Sequence, residues 1–209
     1  MSYQQIFLIV FSYLLGSIPT GFIAGKLRGI DIRNFGSGNI GATNVMRTIG
    51  VKVGISVLLI DFLKAFVYIQ IYKSFFMPNG LYWMLVLVCF FMILGNIFPI
   101  FLGFRGGKGI ATSAGIFASI VPQPFLLSLL FFVLITSISR YVSLGSLVAS
   151  VVLLSSSLYS YLFQKQGSFA IVVFIGMVTV VVFLKHKANI KRILAGTENK
   201  ISFKKKKNV

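Results

Sequence analysis

Seven apolar stretches, most of them close to 20 residues long, leave this chain little choice of solvent. They run at about 4–25, 53–74, 81–101, 109–121, 123–139, 141–163 and 168–185. A bilayer core asks for about 20 apolar residues per helix, and a backbone surrounded by lipid must satisfy its own hydrogen bonds. Only 11% of the 209 residues are charged and 57% are hydrophobic, whereas a soluble domain carries roughly a quarter charged. The expected fold is therefore an all-α polytopic membrane protein, one domain over 1–209 with seven transmembrane helices. The 22 Phe suit a lipid-facing surface. The fourth stretch is short and is parted from the fifth by Pro122 and Pro124, so it reads as a short tilted span or a re-entrant helix.

Whether that fourth stretch crosses decides the topology, and the basic residues answer. If it crosses, 17 of the 20 Lys and Arg fall on one side, Lys73 and Lys165 on the other, and Lys64 inside a span. The positive-inside rule then predicts seven crossings, with the N-terminus outside and the C-terminus in the cytoplasm. If it only dipped, Arg140 and the basic tail would face outward. The net charge of +17, against Asp31, Asp61 and Glu198 alone, is explained by this rule and by anionic lipid, so no nucleic-acid partner is expected. The tail 201–209, with Lys204 to Lys207, reads as a disordered, lipid-attracted segment. Cys89 lies in an apolar run as a packing residue, and without a basic n-region no cleaved signal peptide is expected.

Three polar segments (26–52, 102–108 and 185–209) and the turn at Arg140 then meet on the cytoplasmic face. The first carries GSGNIGATNVMR, Gly36 to Arg47. It matches G-x-G-x-x-G formally, but no strand precedes it, so the dinucleotide reading fails. Packing glycines would not need Ser37, Asn39, Thr43 and Asn44 between them. Amides freed around Gly36 and Gly38, with Arg47 adding charge, suit a phosphate. The second segment holds Arg105, Gly106, Gly107, Lys108 and Gly109. It breaks the P-loop pattern, yet it forms a flexible cationic loop opening into a helix whose first turn carries Thr112. Ser143 and Ser146 share a helix face after Arg140. His186, the only histidine, is followed by Asn189, Arg192 and Glu198. Asp61 and Lys64 stand three apart within the second span and can neutralise each other.

Taken together, GSIPTG at Gly16, GSGNIGATNVMRTIG at Gly36, FRGGKGIATSAG at Phe104, RYVS at Arg140 and HKANIKRILAGTENK at His186 resemble the bacterial acyl-phosphate-dependent glycerol-3-phosphate acyltransferases, the PlsY family. The resemblance covers residue 16 to about 200. It implies a seven-helix enzyme of the bacterial cytoplasmic (plasma) membrane, its active site facing the cytoplasm. Such an enzyme moves a fatty acyl group from acyl phosphate to glycerol 3-phosphate, giving lysophosphatidate and inorganic phosphate in phospholipid synthesis. It also implies a functional link to the enzyme that makes acyl phosphate, and neither cofactor nor metal. Lys108, His186 and Ser37 are then expected to act on the reaction. Gly36, Gly38, Asn39, Thr43, Asn44, Arg47, Gly106, Gly107, Thr112, Ser143, Ser146, Asn189 and Arg192 are expected to bind the two phosphates and the glycerol. Where the family has Gly-His, this chain has Gly95-Asn96, which is read as an orienting or structural position. The base that takes the glycerol proton is left between His186 and the phosphate of the donor itself. A transporter of organophosphate is the alternative reading, and it would require polar groups near the bilayer midplane and an inverted repeat.

Overall fold

The computed structural model describes residues 2–77 and 82–201, and over them the regular structure is helical. The elements are α1 (Tyr3–Ser17), α2 (Thr20–Lys26), α3 (Ala42–Thr48), α4 (Val51–Phe75), α5 (Tyr82–Ile97), α6 (Ile110–Ile120), α7 (Pro122–Ser139), α8 (Val142–Phe163), α9 (Phe169–Lys185) and α10 (Lys187–Leu194), with short 3-10 turns at Ile32–Asn34 and Ile100–Leu102. Tyr3–Lys26, α4, Tyr82–Leu102, α7 and α8 are each long and apolar enough to cross a membrane. α9 with α10 makes a sixth if that pair, bent by 57°, is taken as one span, and α6 is a shorter apolar helix. The fourth stretch is thus as short as its sequence suggests. Most of the tail expected at 201–209 lies outside the described residues.

One expectation needs correcting. The first stretch is not one continuous helix: α1 stops at Ser17 and α2 starts at Thr20. Pro19 supplies no amide hydrogen and its ring excludes the carbonyl a turn earlier, so the ladder cannot pass through it. Carbonyls left free at such a break need partners. Lys64 provides them, its Nζ lying 3.0 Å from the Ile18 carbonyl oxygen.

Lipid tails are as apolar as leucine, so the helices gain little by hiding Leu or Phe from their surroundings; close packing and internal hydrogen bonds hold them instead. α1 packs on α5, α4 on α6, α7 on α8, and α9 between α8 and α5. At the α1–α5 crossing a Cβ on Gly16 would run into the Met92 carbonyl, and one on Gly95 into the Tyr13 carbonyl. Tyr68 Oη donates to the Leu8 carbonyl at 2.8 Å and Tyr13 Oη to that of Phe98 at 2.8 Å. Lys73 Nζ closes the far end of α6 on the Ser119 carbonyl at 2.7 Å. α7 fully buries only Pro124 and Ser128, and apart from the side that carries Phe132 and Thr136 against α8 and the cavity its surface is left to lipid. Gly95→Leu is expected to force α1 and α5 apart and to cost about 1–3 kcal/mol or more, read as a lower thermal unfolding midpoint in detergent.

Candidate active site

The polar segments gather round one cavity of about 260 Å³, reached by every helix from α1 to α8, by α10 and by the turn at His186 that follows α9. Its first wall is the glycine-rich segment before and within α3. Asn44 ties this loop together from inside. Its Oδ1 accepts from the Ser37 amide at 2.9 Å, and its Nδ2 donates to the carbonyls of Phe35 at 3.0 Å and Ile32 at 3.3 Å. Gly36 adopts φ +60°, and a Cβ there would strike the Asn44 amide oxygen. Asn39 likewise turns onto the chain, taking the Gly41 amide at 2.8 Å. These two asparagines therefore shape the loop, while Ser37, Thr43 and Arg47 keep donor capacity for a guest. Arg47 reaches the Asn199 carbonyl with one terminal nitrogen at 2.7 Å, and its Nε is buried without a partner. Burial pulls its guanidinium down, with Glu198 opposing and Arg192 assisting, but an arginine stays charged in proteins.

The second wall is the loop into α6. The Gly107 amide donates to the Asn96 carbonyl at 3.0 Å, and a Cβ on Gly106 would run into that carbonyl and Pro99. Only glycine lets this loop lie against the end of α5. The loop delivers Lys108, whose Nζ donates to Asn189 Oδ1 at 2.6 Å. Burial lowers the Lys108 ammonium to about 8; Glu198 pulls it back up, while Arg192 and Arg47 push it down. It is thus a charge held short of full hydration, which makes it a stronger partner for a phosphate than a surface lysine.

The third wall is the turn from α9 into α10. His186 is 2% exposed and its Nδ1 lies 2.8 Å from the Val182 carbonyl oxygen. A carbonyl cannot donate, so Nδ1 carries the hydrogen and Nε2 keeps its lone pair. Burial, then the nearby Lys108, lowers this imidazole to about 4; the Val182 hydrogen bond and Glu198 act the other way. At neutral pH it is an uncharged acceptor. Asn189 offers its Nδ2 to Glu198 Oε1 at 2.6 Å, so its amide points oxygen to Lys108 and nitrogen to Glu198. Glu198 is 7% exposed. It also accepts from Ser143 Oγ at 2.9 Å and from Arg192 Nε at 2.7 Å. Burial raises its carboxyl, but the hydrogen bonds from Asn189, Arg192 and Ser143 outweigh that and hold it below the ordinary range.

Of the residues expected at a site, Ser37, Asn39, Thr43, Asn44, Arg47, Gly107, Lys108, Ser143, Ser146, His186 and Asn189 line the cavity. Gly36, Gly38, Gly106, Thr112 and Arg192 do not, and the first three are parts of the loops behind the wall. Thr112 is fully buried with no partner for its hydroxyl. Arg192 stands behind Asn189 as the counter-ion of Glu198. Asn96 lines the cavity, and it is its carbonyl that holds the Gly107 amide. Sequence reasoning missed Glu198 as the hub of the third wall, although it is one of only three acidic residues in the chain. It also missed the α1–α2 joint as a wall, although Gly16 to Gly21 and Asp61 line the same space.

Comparisons with known proteins agree with one another. The family model described as glycerol-3-phosphate acyltransferase matches residues 6–196. A glycerol-3-phosphate acyltransferase of Chlorobaculum tepidum is 38% identical over 95% of this chain and 97% of its own length. Its namesakes in Aquifex aeolicus (39%, covering 94% and 99%) and Trichlorobacter lovleyi (42%, covering 93% and 96%) are similar to the same extent. Among solved structures, the chain is similar to PlsY (YgiH), an integral membrane glycerol 3-phosphate acyltransferase. Its glycerol 3-phosphate form has TM-score 0.85 and 38% identity over 95% of this chain and 96% of that one. Its lysophosphatidic acid form has TM-score 0.82 and 36% identity.

Proposed function

Because this chain belongs to the glycerol-3-phosphate acyltransferase family, we propose that it transfers a fatty acyl group from acyl phosphate to glycerol 3-phosphate, releasing lysophosphatidate and inorganic phosphate for phospholipid synthesis. The observation that carries the donor reading is the pairing of two anion-seeking walls around one space. Arg47 with the glycine loop faces Lys108 with its own loop, and no carboxylate on these walls is left unpaired to repel a second phosphate. One cradle takes the donor head group and the other takes glycerol 3-phosphate.

Each residue then has a task. Ser37, Thr43 and Arg47, on the loop that Gly36 and Gly38 shape, hold phosphate oxygens. Lys108 neutralises charge growing on the leaving phosphate, an electrostatic stabilisation of the kind that dominates acyl transfer. His186 Nε2 accepts a hydrogen bond from the glycerol and orients it, while Ser146 lines the floor. Because its pKa is about 4, His186 is a poor match for a base working near neutrality. An acyl phosphate is already an activated mixed anhydride, so its own phosphate oxygen takes the hydroxyl proton. His186→Gln keeps an acceptor and is expected to lower kcat by no more than about 10²-fold, the low end of one acid–base contribution. A fall of many orders with binding unchanged would make His186 the base instead.

The basic residues support seven crossings, with the C-terminus and the cavity on the cytoplasmic side, and the bacterial relatives support a bacterial plasma membrane. Purified protein given acyl phosphate and glycerol 3-phosphate should release inorganic phosphate and lysophosphatidate, and acyl thioesters should serve poorly or not at all. In sealed vesicles, externally added glycerol 3-phosphate should be acylated only when the cytoplasmic face is outside. Turnover with thioesters alone would remove the acyl-phosphate reading, and turnover in right-side-out vesicles would reverse the orientation. A bacterium with this enzyme needs a partner activity that forms acyl phosphate, which is the functional link we assign.

A further inference from the structure

The joint between α1 and α2 forms a fourth wall of the cavity that the roles above leave unused. Two residues of α4 hold it open from the side. Lys64 Nζ contacts the carbonyl oxygens of Ile18 at 3.0 Å and Gly16 at 3.5 Å, and Asp61 Oδ1 at 2.7 Å. Asp61 Oδ1 also accepts from Thr20 Oγ1 at 2.8 Å, in the first turn of α2. The pair therefore grips both ends of the break. Between those grips sits Ser17, fully buried and lining the cavity, with no hydrogen-bond partner for its Oγ. A buried hydroxyl left unpaired costs free energy and asks for a reason.

We propose that Ser17 Oγ is the hydrogen-bond donor to the carbonyl oxygen of the acyl group being transferred, and that Lys64 and Asp61 are the positioning residues that hold it there. This rests on the acyl-transfer reading of the site. Elimination singles out the hydroxyl. Among the buried hydroxyls that line the cavity, Ser143 is spent on Glu198, Ser146 on the Val142 carbonyl and Thr20 on Asp61. Thr136 Oγ1 also lacks a partner but packs against Gly145 of α8. Charge singles out the guest. The Asp61–Lys64 pair beside the joint is neutral overall and offers a phosphate no net charge, whereas Arg47 and Lys108 supply it. A neutral carbonyl, the atom group between phosphate head and apolar tail, suits a neutral donor bordered by Ile18 and Leu58.

The step balances without any further reactant. The glycerol oxygen bonds to the acyl carbon, and electron density moves onto the carbonyl oxygen, where Ser17 holds it. The density then returns as the bond from that carbon to the phosphate oxygen breaks. The hydroxyl proton leaves on inorganic phosphate.

Ser17→Ala is expected to lower kcat by about 10²-fold, the low end for losing one such donor, with KM for glycerol 3-phosphate within about threefold. The loss should be the same for every acyl-chain length. Lys64→Met should lower kcat in the same direction and add little to Ser17→Ala in the double variant, as expected for residues acting as a unit. Infrared spectra of a bound, isotopically labelled acyl phosphonate should show its carbonyl stretch at higher frequency in Ser17→Ala than in the wild type. If Ser17→Ala does not yield folded protein, Ser17→Cys, a near-isostere with a weak donor, carries the same readouts. A kcat within twofold of wild type, or an unmoved carbonyl stretch, overturns the role of Ser17. Failure of the wild type to use acyl phosphate while it uses a thioester would remove the donor reading alone. The Ser17 comparison is then made with the thioester, whose carbonyl needs the same donor.

Discussion

Lys108→Met should leave a folded protein whose kcat/KM is lower by about three orders of magnitude. In the proposed reaction the ammonium stands where charge collects as the bond to the leaving phosphate breaks, and Asn189 Oδ1 at 2.6 Å fixes its position. A unit charge about 4 Å from a developing anion is worth about 4 kcal/mol at an effective dielectric near 20. At about 1.4 kcal/mol per tenfold, that corresponds to roughly 10³ in rate. Methionine fills the space and removes the charge, so packing is spared. Lys108→Arg keeps the charge but replaces a compact ammonium by a planar fork, and should lose less than the methionine variant.

The same residue sets the alkaline limb. Burial, opposed by Glu198 and assisted by Arg192 and Arg47, lowers Lys108 to about 8, with the neutral His186 beside it. kcat/KM, which reports groups of the free enzyme, should therefore fall as pH rises through about 8. kcat should hold to higher pH, because bound phosphates favour the ammonium. Stability moves the other way. Between about 8 and the ordinary value of 10.5, the unfolded chain binds a proton that the fold has released, so raising pH favours the fold. A loss of activity across that window without a drop in the unfolding midpoint would identify Lys108, and a limb unmoved in Lys108→Arg would exclude it.

How much of this was legible in the sequence depends on what kind of force sets each feature. The helices were, because lipid leaves an apolar stretch no other way to satisfy its backbone, and six of the seven expected stretches match helices to within a few residues at each end. The exception, the break in the first stretch, was marked by Pro19 but hidden by the apolar residues around it. Which polar side chains face a guest was less legible. Asn39 and Asn44 have the right chemistry for binding, yet each is turned onto nearby backbone, because an asparagine side chain readily bonds the neighbouring main chain. Glu198 lay beyond the reach of periodicity altogether. It enters the site through a segment without regular structure, tied by the Ile201 amide to the Arg140 carbonyl at 2.8 Å and by Arg47 to Asn199. Contacts of that sequence separation leave no spacing to read.

Glu198→Ala is the second variant expected to have a large effect, and it acts through what the carboxylate organises. One buried side chain accepts from Ser143, Asn189 and Arg192. Removing it leaves a buried hydroxyl, an amide and a guanidinium without their acceptor, a loss of about 3 kcal/mol or more by analogy with broken buried pairs. The unfolding midpoint should drop accordingly. The acid side follows from the depressed carboxyl: its contribution is present above the unfolded value near 4.5 and is lost as pH falls through the lower folded value, a dependence that Glu198→Ala should lack. Glu198→Gln is more informative for mechanism. It keeps the shape, but its amide group can present a donor to Asn189. If Asn189 turns to accept it, Asn189 shows its own nitrogen to Lys108, donor against donor, and the lysine loses its anchor. Glu198→Gln is thus expected to lose kcat by at least tenfold while keeping more of the stability than Glu198→Ala, and Glu198→Asp, still only an acceptor, should recover part of the rate. Equal losses of rate and stability in all three would reduce Glu198 to a strap for the segment after α10, with no hand in aiming Lys108.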